Sequence, residues 1–256
     1  MTSSRLRGRA AAVLTVAGAA AGVAACAPPP LVIDHPVARS TGPPRVTTPT
    51  TTRSATTRRP APAASGARPA TVPVEAAYIP FGVARERETA AYSLRHYGSA
   101  TWRLTPTMIV LHYTAGTSWQ GARDTFSPDL SNLGELPGTC AHFVVDQGGT
   151  VHALLPVTTR CRHTIGLNDQ AIGIEVVQPG RADPRQADHE ILARAPQREA
   201  LLALVRDLMG QYRIPETSVI GHAMANTDPH FHDLMGWRND HVDWQQPDVL
   251  AFRALL

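Results

Sequence analysis

The sequence contains no lysine: all 24 of its Lys/Arg-type cations are arginines, so no reaction step can rest on an ammonium side chain. Aromatic residues make up only 5%, and none lies between Ala27 and Pro73. That stretch also holds 11 of the 22 prolines and nine threonines, with no apolar period. Nothing in it offsets the entropy of ordering a chain, which excludes a fold of its own. The three cysteines show no Cys-x-x-Cys spacing, which argues against a cysteine metal site. Walker A, the Rossmann fingerprint, Gly-x-Ser-x-Gly and His-Glu-x-x-His are all missing, and no internal repeat is visible.

Three regions emerge from what is present. Residues 1–25 resemble an export signal: Arg5, Arg7 and Arg9, then the apolar stretch Ala10–Val23, then Val23-Ala24-Ala25-Cys26. The apolar stretch is too short and too rich in Ala and Gly to span a membrane. Its ending resembles a bacterial lipobox, which implies a lipid on Cys26, with simple secretion as the alternative. Residues 26–73 are expected to be a lipid-anchored, disordered Pro/Thr/Arg-rich linker, and residues 74–256 a folded domain. The overall charge of +3 hides a split. The signal and linker are basic, whereas residues 74–256 carry 15 arginines against 20 acidic residues. No basic face argues for nucleic acid. In an exported domain, the even pair Cys140 and Cys161 is expected to form a disulfide.

Within the folded region the hydrophobic pattern alternates between strands and helices. Ala84–Tyr97 reads as an amphipathic helix, and Met108–Leu111 as a strand buried on both faces. Trp119–Phe126 reads as a short helix. Ala141–Val145 and Val151–Leu155 read as a hairpin turning at Asp146-Gln147-Gly148-Gly149. Ala171–Val177 is a further buried strand with Glu175 embedded in it. Gln197–Tyr212 is the clearest helix, and Ser218–Gly221 a last short strand followed by a long loop. This order predicts one α/β domain with a central mixed β-sheet flanked by helices.

Three of these runs end in, or enclose, a polar group: His112, Glu175 and His222. A lone histidine beside an apolar run is more often structural, and an embedded carboxylate can serve an exposed edge or an arginine. Together, and followed by Asp228, His230, His232 and Asp233, they point to chemistry. Two histidines and a carboxylate with one open position make a catalytic zinc site. Such a metal polarises a carbonyl and acidifies a water, and a nearby carboxylate moves the proton. The residues alone read as a zinc hydrolase.

Four blocks then resemble a known family: Ile109–Thr114, Ala141–Thr150, Ile172–Glu175 and Val219–His222. In this order they are similar to the type 2 N-acetylmuramoyl-L-alanine amidases, zinc enzymes related to peptidoglycan recognition proteins. The ending Gly221–Asn226 and Gly236–Trp244 resembles the lipoprotein branch of that family. The resemblance implies hydrolysis of the amide between N-acetylmuramic acid and L-alanine in peptidoglycan, with Zn2+ as cofactor. It implies His112 and His222 as metal ligands and Glu175 as the catalytic carboxylate. The third ligand is expected at Asp233, with Asp228 as the alternative. The family's lysine beside that ligand is absent, and His232 is its expected stand-in. Arg162, His163 and His142 are expected near the substrate, although His142 could equally be the partner of a neighbouring strand. The expected protein is a monomer, extracytoplasmic and lipid-anchored to the cell membrane or envelope. Two rival readings are a non-catalytic muropeptide-binding module on the same fold and a structural envelope protein.

Overall fold

In the computed structural model, which describes residues 72–256, the buried run Met108–Leu111 opens the strand Met108–Ala115. This is β2 of a six-stranded mixed sheet whose other members are β1 (Val74–Ala76), β3 (Phe143–Val145), β4 (Val151–Ala153), β5 (Ala171–Pro179) and β6 (Val219–Gly221). The spatial order is β1-β4-β3-β5-β2-β6. Strands β3, β5, β2 and β6 run parallel, β4 pairs antiparallel with β3, and β1 lies parallel against β4. The first eight residues of β5 are buried, as expected of a parallel strand covered on both faces.

One face is covered by α3 (Pro184–Ala193), α4 (Ala195–Tyr212) and α5 (Gln246–Arg253). There Leu201, Leu204, Val205 and Leu208 pack with Ile109, Leu111, Ile172 and Ile174. The opposite face is covered in part by α2 (Trp119–Phe126), where Ala122 packs with Val144, Leu154 and Val177. The remaining helix, α1 (Val83–Tyr97), ends at Gly98, whose φ of 73° suits a residue without a Cβ. The hairpin expected at Asp146–Gly149 is present, with Val145 opposite Val151. The expected disulfide joins Cys140 to Cys161. It fastens the entry of β3 to the segment that runs from Arg162 into β5.

Several elements depart from the hydrophobic pattern. The expected strand Ala141–Val145 pairs regularly only from Phe143, because the His142 carbonyl accepts from both Leu154 and Leu155. Helix α3 buries only Ala187 and Ile191 among its apolar residues, too few to mark a periodic face. Its start nevertheless carries a helix signature: the Asp183 side chain accepts from the Arg185 amide, and Pro184 opens the helix. The long loop expected after β6 begins as a 3-10 turn, His222–Thr227, and ends in α5. The expected export signal, the lipid site Cys26 and the linker up to residue 71 lie outside the described residues.

Candidate metal centre and active-site cleft

Parallel pairing of β2 with β5 sets His112 beside Glu175, and β6, on the other edge of β2, delivers His222 one residue past its end. All three side chains are buried, so their polar atoms need partners from within the protein. Asp243 comes close to both histidines. Its Oδ2 lies 3.3 Å from His112 Nδ1 and its Oδ1 lies 3.3 Å from His222 Nδ1. Ligand atoms of His112, His222 and Asp243 all lie within 4.8 Å of one another. The three residues line a cleft of about 640 Å³ together with Glu175, His163, Thr164, Arg238 and Asn239.

Asp243 is brought there by its neighbour. Trp244 is fully buried, donates from its indole Nε1 to the His112 carbonyl at 3.2 Å, and holds a positive φ of 56°. It lies against Gly221, where a Cβ would sit 2.6 Å from the Trp244 Cβ. The Asp188 carboxylate of α3 accepts from the Trp244 and Gln245 amides at 3.1 and 2.8 Å. The glycine before His222 and the tryptophan after Asp243 thus bind the two ends of this loop together.

The electrostatics separate the groups. Burial, and then repulsion from Asp243, push Glu175 up to about 8, and its Oε2 has no hydrogen-bond partner. Burial and the neighbouring His222 hold His112 down to about 4, favouring a neutral ring. Burial opposes the charge of Asp243, but the two histidines outweigh it and keep Asp243 well below the usual carboxylate range. Buried His222 Nδ1 also lacks a hydrogen-bond partner. Two ring nitrogens and a carboxylate therefore converge in a buried space, and this donor set fits a divalent cation of the zinc type.

The other expected site residues fall into place around this centre, some far from their expected roles. Asp233 is a correction: its Oδ2 lies 2.8 Å from His96 Nδ1, and its Oδ1 accepts from the Met235 and Trp237 amides. A carboxylate committed to His96 and two amides is not at the His112–His222 pair, and Asp243 stands there instead. Asp228 is no substitute, since its Oδ1 closes a local turn with His230. His232 is a second correction. Its amide bonds the Gly166 carbonyl and its side chain is exposed outside the cleft lining, whose arginines are Arg162 and Arg238.

His142 is a third correction. It is fully buried, with Nε2 donating to the Thr159 carbonyl and Nδ1 accepting from the Gly173 amide, so it joins strands and does not face a ligand. Arg162 does line the cleft, but its guanidinium donates to the Asn132, Glu135 and Pro137 carbonyls and so pins the rim loop. His163 lines the cleft, bonded to His112. The sequence pattern does not single out Asp243, Arg238 or Asn239. The one local cue for Asp243 is its place directly before Trp244.

Comparison with known proteins narrows the reading. Among curated proteins none matches significantly. A mutant endolysin from Bacillus subtilis is 22% identical, with a TM-score of 0.41 over 59% of this chain and 84% of its own. The N-acetylmuramoyl-L-alanine amidase LysC from Clostridium intestinale URNW is 22% identical, with a TM-score of 0.38 over 58% of this chain and 85% of its own. The Ph2119 endolysin from a Thermus scotoductus bacteriophage is 27% identical, with a TM-score of 0.33 over 46% and 71%. The sequence profile of Amidase_2, described as N-acetylmuramoyl-L-alanine amidase, matches residues 102–231. That span is half of the chain and takes in His112, Glu175 and His222, and by it this chain belongs to the N-acetylmuramoyl-L-alanine amidase family, Amidase_2.

Proposed function

We propose that this protein is a zinc-dependent hydrolase that cleaves the amide between N-acetylmuramic acid and L-alanine in peptidoglycan. The observation that carries the proposal is the convergence of His112 Nδ1, His222 Nδ1 and the Asp243 carboxylate in the cleft that also holds Glu175. His112, His222 and Asp243 would hold the zinc ion. When bound, zinc supplies Lewis acidity towards an amide carbonyl and a hydrolytic water.

The remaining work falls to the chain itself. Glu175 lies across from His112 on the adjacent strand, and burial lets it hold a proton near neutral pH. In its ionised form Glu175 takes the proton of the attacking water, and the carboxyl group so formed, stabilised by burial, returns that proton to the leaving nitrogen. Arg238 lines the cleft; one of its nitrogens donates to the Asn226 carbonyl at 2.8 Å, and its remaining N–H groups and charge would meet an oxygen that becomes negative. A binding module without catalysis would have no use for an unpartnered Glu175 at this place. The lipid on Cys26 and an extracytoplasmic location remain part of the proposal, on the strength of the signal-like N-terminus; the Cys140–Cys161 disulfide is consistent with export.

The test combines zinc content with release of L-alanine N-termini from purified sacculi. The wild-type protein should bind one zinc per chain and release L-alanine ends. Asp243→Ala should lose zinc affinity by tenfold or more while Asp233→Ala keeps it. A wild-type protein that binds no zinc, or sacculi without new L-alanine ends, would refute the proposal.

A further inference from the structure

Each histidine of the candidate centre has a second ring nitrogen, and the partners of those two nitrogens decide where the protons sit. On the His222 side the partner is Asn239. Its amide orientation is fixed independently of the histidine, because Oδ1 accepts from the Ile165 N–H at 2.9 Å and Nδ2 donates to the Ile165 carbonyl at 2.9 Å. Oδ1 also faces His222 Nε2 at 3.0 Å and can only accept. The competing acceptor is the Asp243 carboxylate, 3.3 Å from Nδ1, but His222 Nδ1 makes no hydrogen bond with it, so His222 carries its proton on Nε2 and Nδ1 is left as a bare lone pair.

The His112 side reaches the same result through a different partner. His163 Nε2 lies 3.1 Å from the Ala171 carbonyl, which can only accept, so the His163 proton is on Nε2 and its Nδ1 is an acceptor. That Nδ1 lies 3.0 Å from His112 Nε2. The Thr164 hydroxyl touches both nitrogens, at 2.9 and 3.3 Å. Were His112 Nε2 also bare, two lone pairs would face each other at 3.0 Å. The proton of His112 accordingly sits on Nε2, and its Nδ1 is free towards Asp243.

The seat of His163 is a glycine. A Cβ at Gly173 would lie 2.7–2.8 Å from Cγ, Cδ2 and Nδ1 of the His163 ring. The φ of Gly173 is not in the left-handed region, so what the position requires is space. This gives a physical reason for the glycine inside the buried run Ile172-Gly173-Ile174, where a β-branched residue would otherwise favour the strand.

We infer that Asn239 and His163 are positioning residues that lock His222 and His112 in the tautomer whose Nδ1 atoms face the cation site, and that Gly173 is the space that admits the His163 ring. The inference rests on the zinc reading for its purpose, but the tautomers are properties of the metal-free chain. Outer partners of metal-binding histidines fix ring orientation, and their loss typically lowers metal affinity ~10–100-fold.

The experiment has two arms. In the first, long-range ¹H–¹⁵N spectra of metal-free wild-type protein at pH 8 should show His112 and His222 protonated on Nε2. A proton on Nδ1 of either ring overturns the inference whether or not zinc binds. In the second, zinc affinity is read by chelator competition for Asn239→Leu, Asn239→Asp, His163→Leu, His163→Asn and Gly173→Ala. The leucine variants and Gly173→Ala should weaken zinc ~10–100-fold. Asn239→Asp and His163→Asn keep an acceptor near its present place and should recover most of that loss, which a merely structural role would not produce. Wild-type affinity in both leucine variants would overturn the inference. Failure of the wild-type protein itself to bind zinc would instead refute the zinc reading and leave the tautomer assignment to the spectra.

Discussion

Glu175 is a carboxylate in a protein interior, held up to about 8 by burial and by the charge of Asp243, with one oxygen unpartnered. A group of that kind is poised to exchange a proton with something that enters the cleft. Glu175→Gln removes the proton carrier and leaves His112, His222 and Asp243 in place, so turnover should fall ~10²–10⁴-fold with zinc retained. Wild-type cleavage of sacculi by that variant would assign the proton transfer elsewhere. His142 tests burial without catalysis. Burial holds its ring down to about 4 against an ordinary 6.5, despite its bonds to Thr159 and Gly173. The folded protein thus binds this proton less readily than the unfolded chain. Its contribution to stability is complete above pH 6.5 and is lost as pH falls through about 4. Comparing urea unfolding of wild type and His142→Gln, the wild-type advantage should shrink by about 3 kcal/mol on going from pH 7 to below 4. Parallel pH profiles for the two proteins would show that the ring titrates as it does in water. His112, Glu175 and His222 could be picked out from sequence because each ends, or is embedded in, a buried run. Asp243 could not, because its place depends on where Trp244 is buried, and no local pattern encodes that.

At the level of elements, the long hydrophobic runs and the turn chemistry carried most of the information. Strands β2 and β5, the turn at Asp146–Gly149 and helices α1, α2 and α4 all follow from apolar spacing and glycine placement. Helix α3 and the short α5 were hidden because their buried faces are narrow and mixed with charge; in α3 the buried Asp188 binds backbone amides instead of packing as an apolar residue. The loop after β6 misled for a related reason. Its candidates are Asp233, at family-like spacing from His222, and Asp228, in a family-like Asp-Pro pair, yet Asp228 closes a turn and Asp233 serves His96. What organises that loop is the contact between Gly221 and Trp244. A Cβ at Gly221 would collide with the Trp244 carbonyl oxygen, a backbone atom that cannot swing aside. Gly221→Ala should therefore lower stability by about 1–3 kcal/mol through overpacking. It should also weaken zinc, because the displaced Trp244 carries Asp243 with it. Urea midpoints and zinc titrations of this variant are the measurement, and wild-type zinc affinity would detach Asp243 from the Gly221 contact.

For the whole molecule, the overall basic balance is a poor guide to the folded part, whose acidic residues outnumber its arginines. The expected division into a linker and a domain rests on composition, which changes abruptly near Pro73, where prolines give way to apolar runs. The structure adds where the fold begins to need its N-terminal segment. The Val72 amide donates to the Asp207 carboxylate of α4, and β1 then pairs with β4. Ala77 and Ile79 continue along the same edge, bonding the Ala153 and Leu154 carbonyls at 2.9 and 3.0 Å. Arg123 of α2 donates to the Ala77 carbonyl, and Ile79 is buried against the α2 side of the sheet. Two truncations separate linker from domain. A protein that begins at Val72 should keep the melting temperature and zinc affinity of the full chain if the Pro-rich residues before it are the expected tether. A protein that begins at Pro80 loses β1 and the anchor of α2, and the burial of Ile79 alone is worth about 2 kcal/mol. Its melting temperature should fall by several degrees at least. If the cut at Val72 is as damaging as the cut at Pro80, the preceding residues belong to the fold, and the boundary between tether and domain must be moved towards the N-terminus.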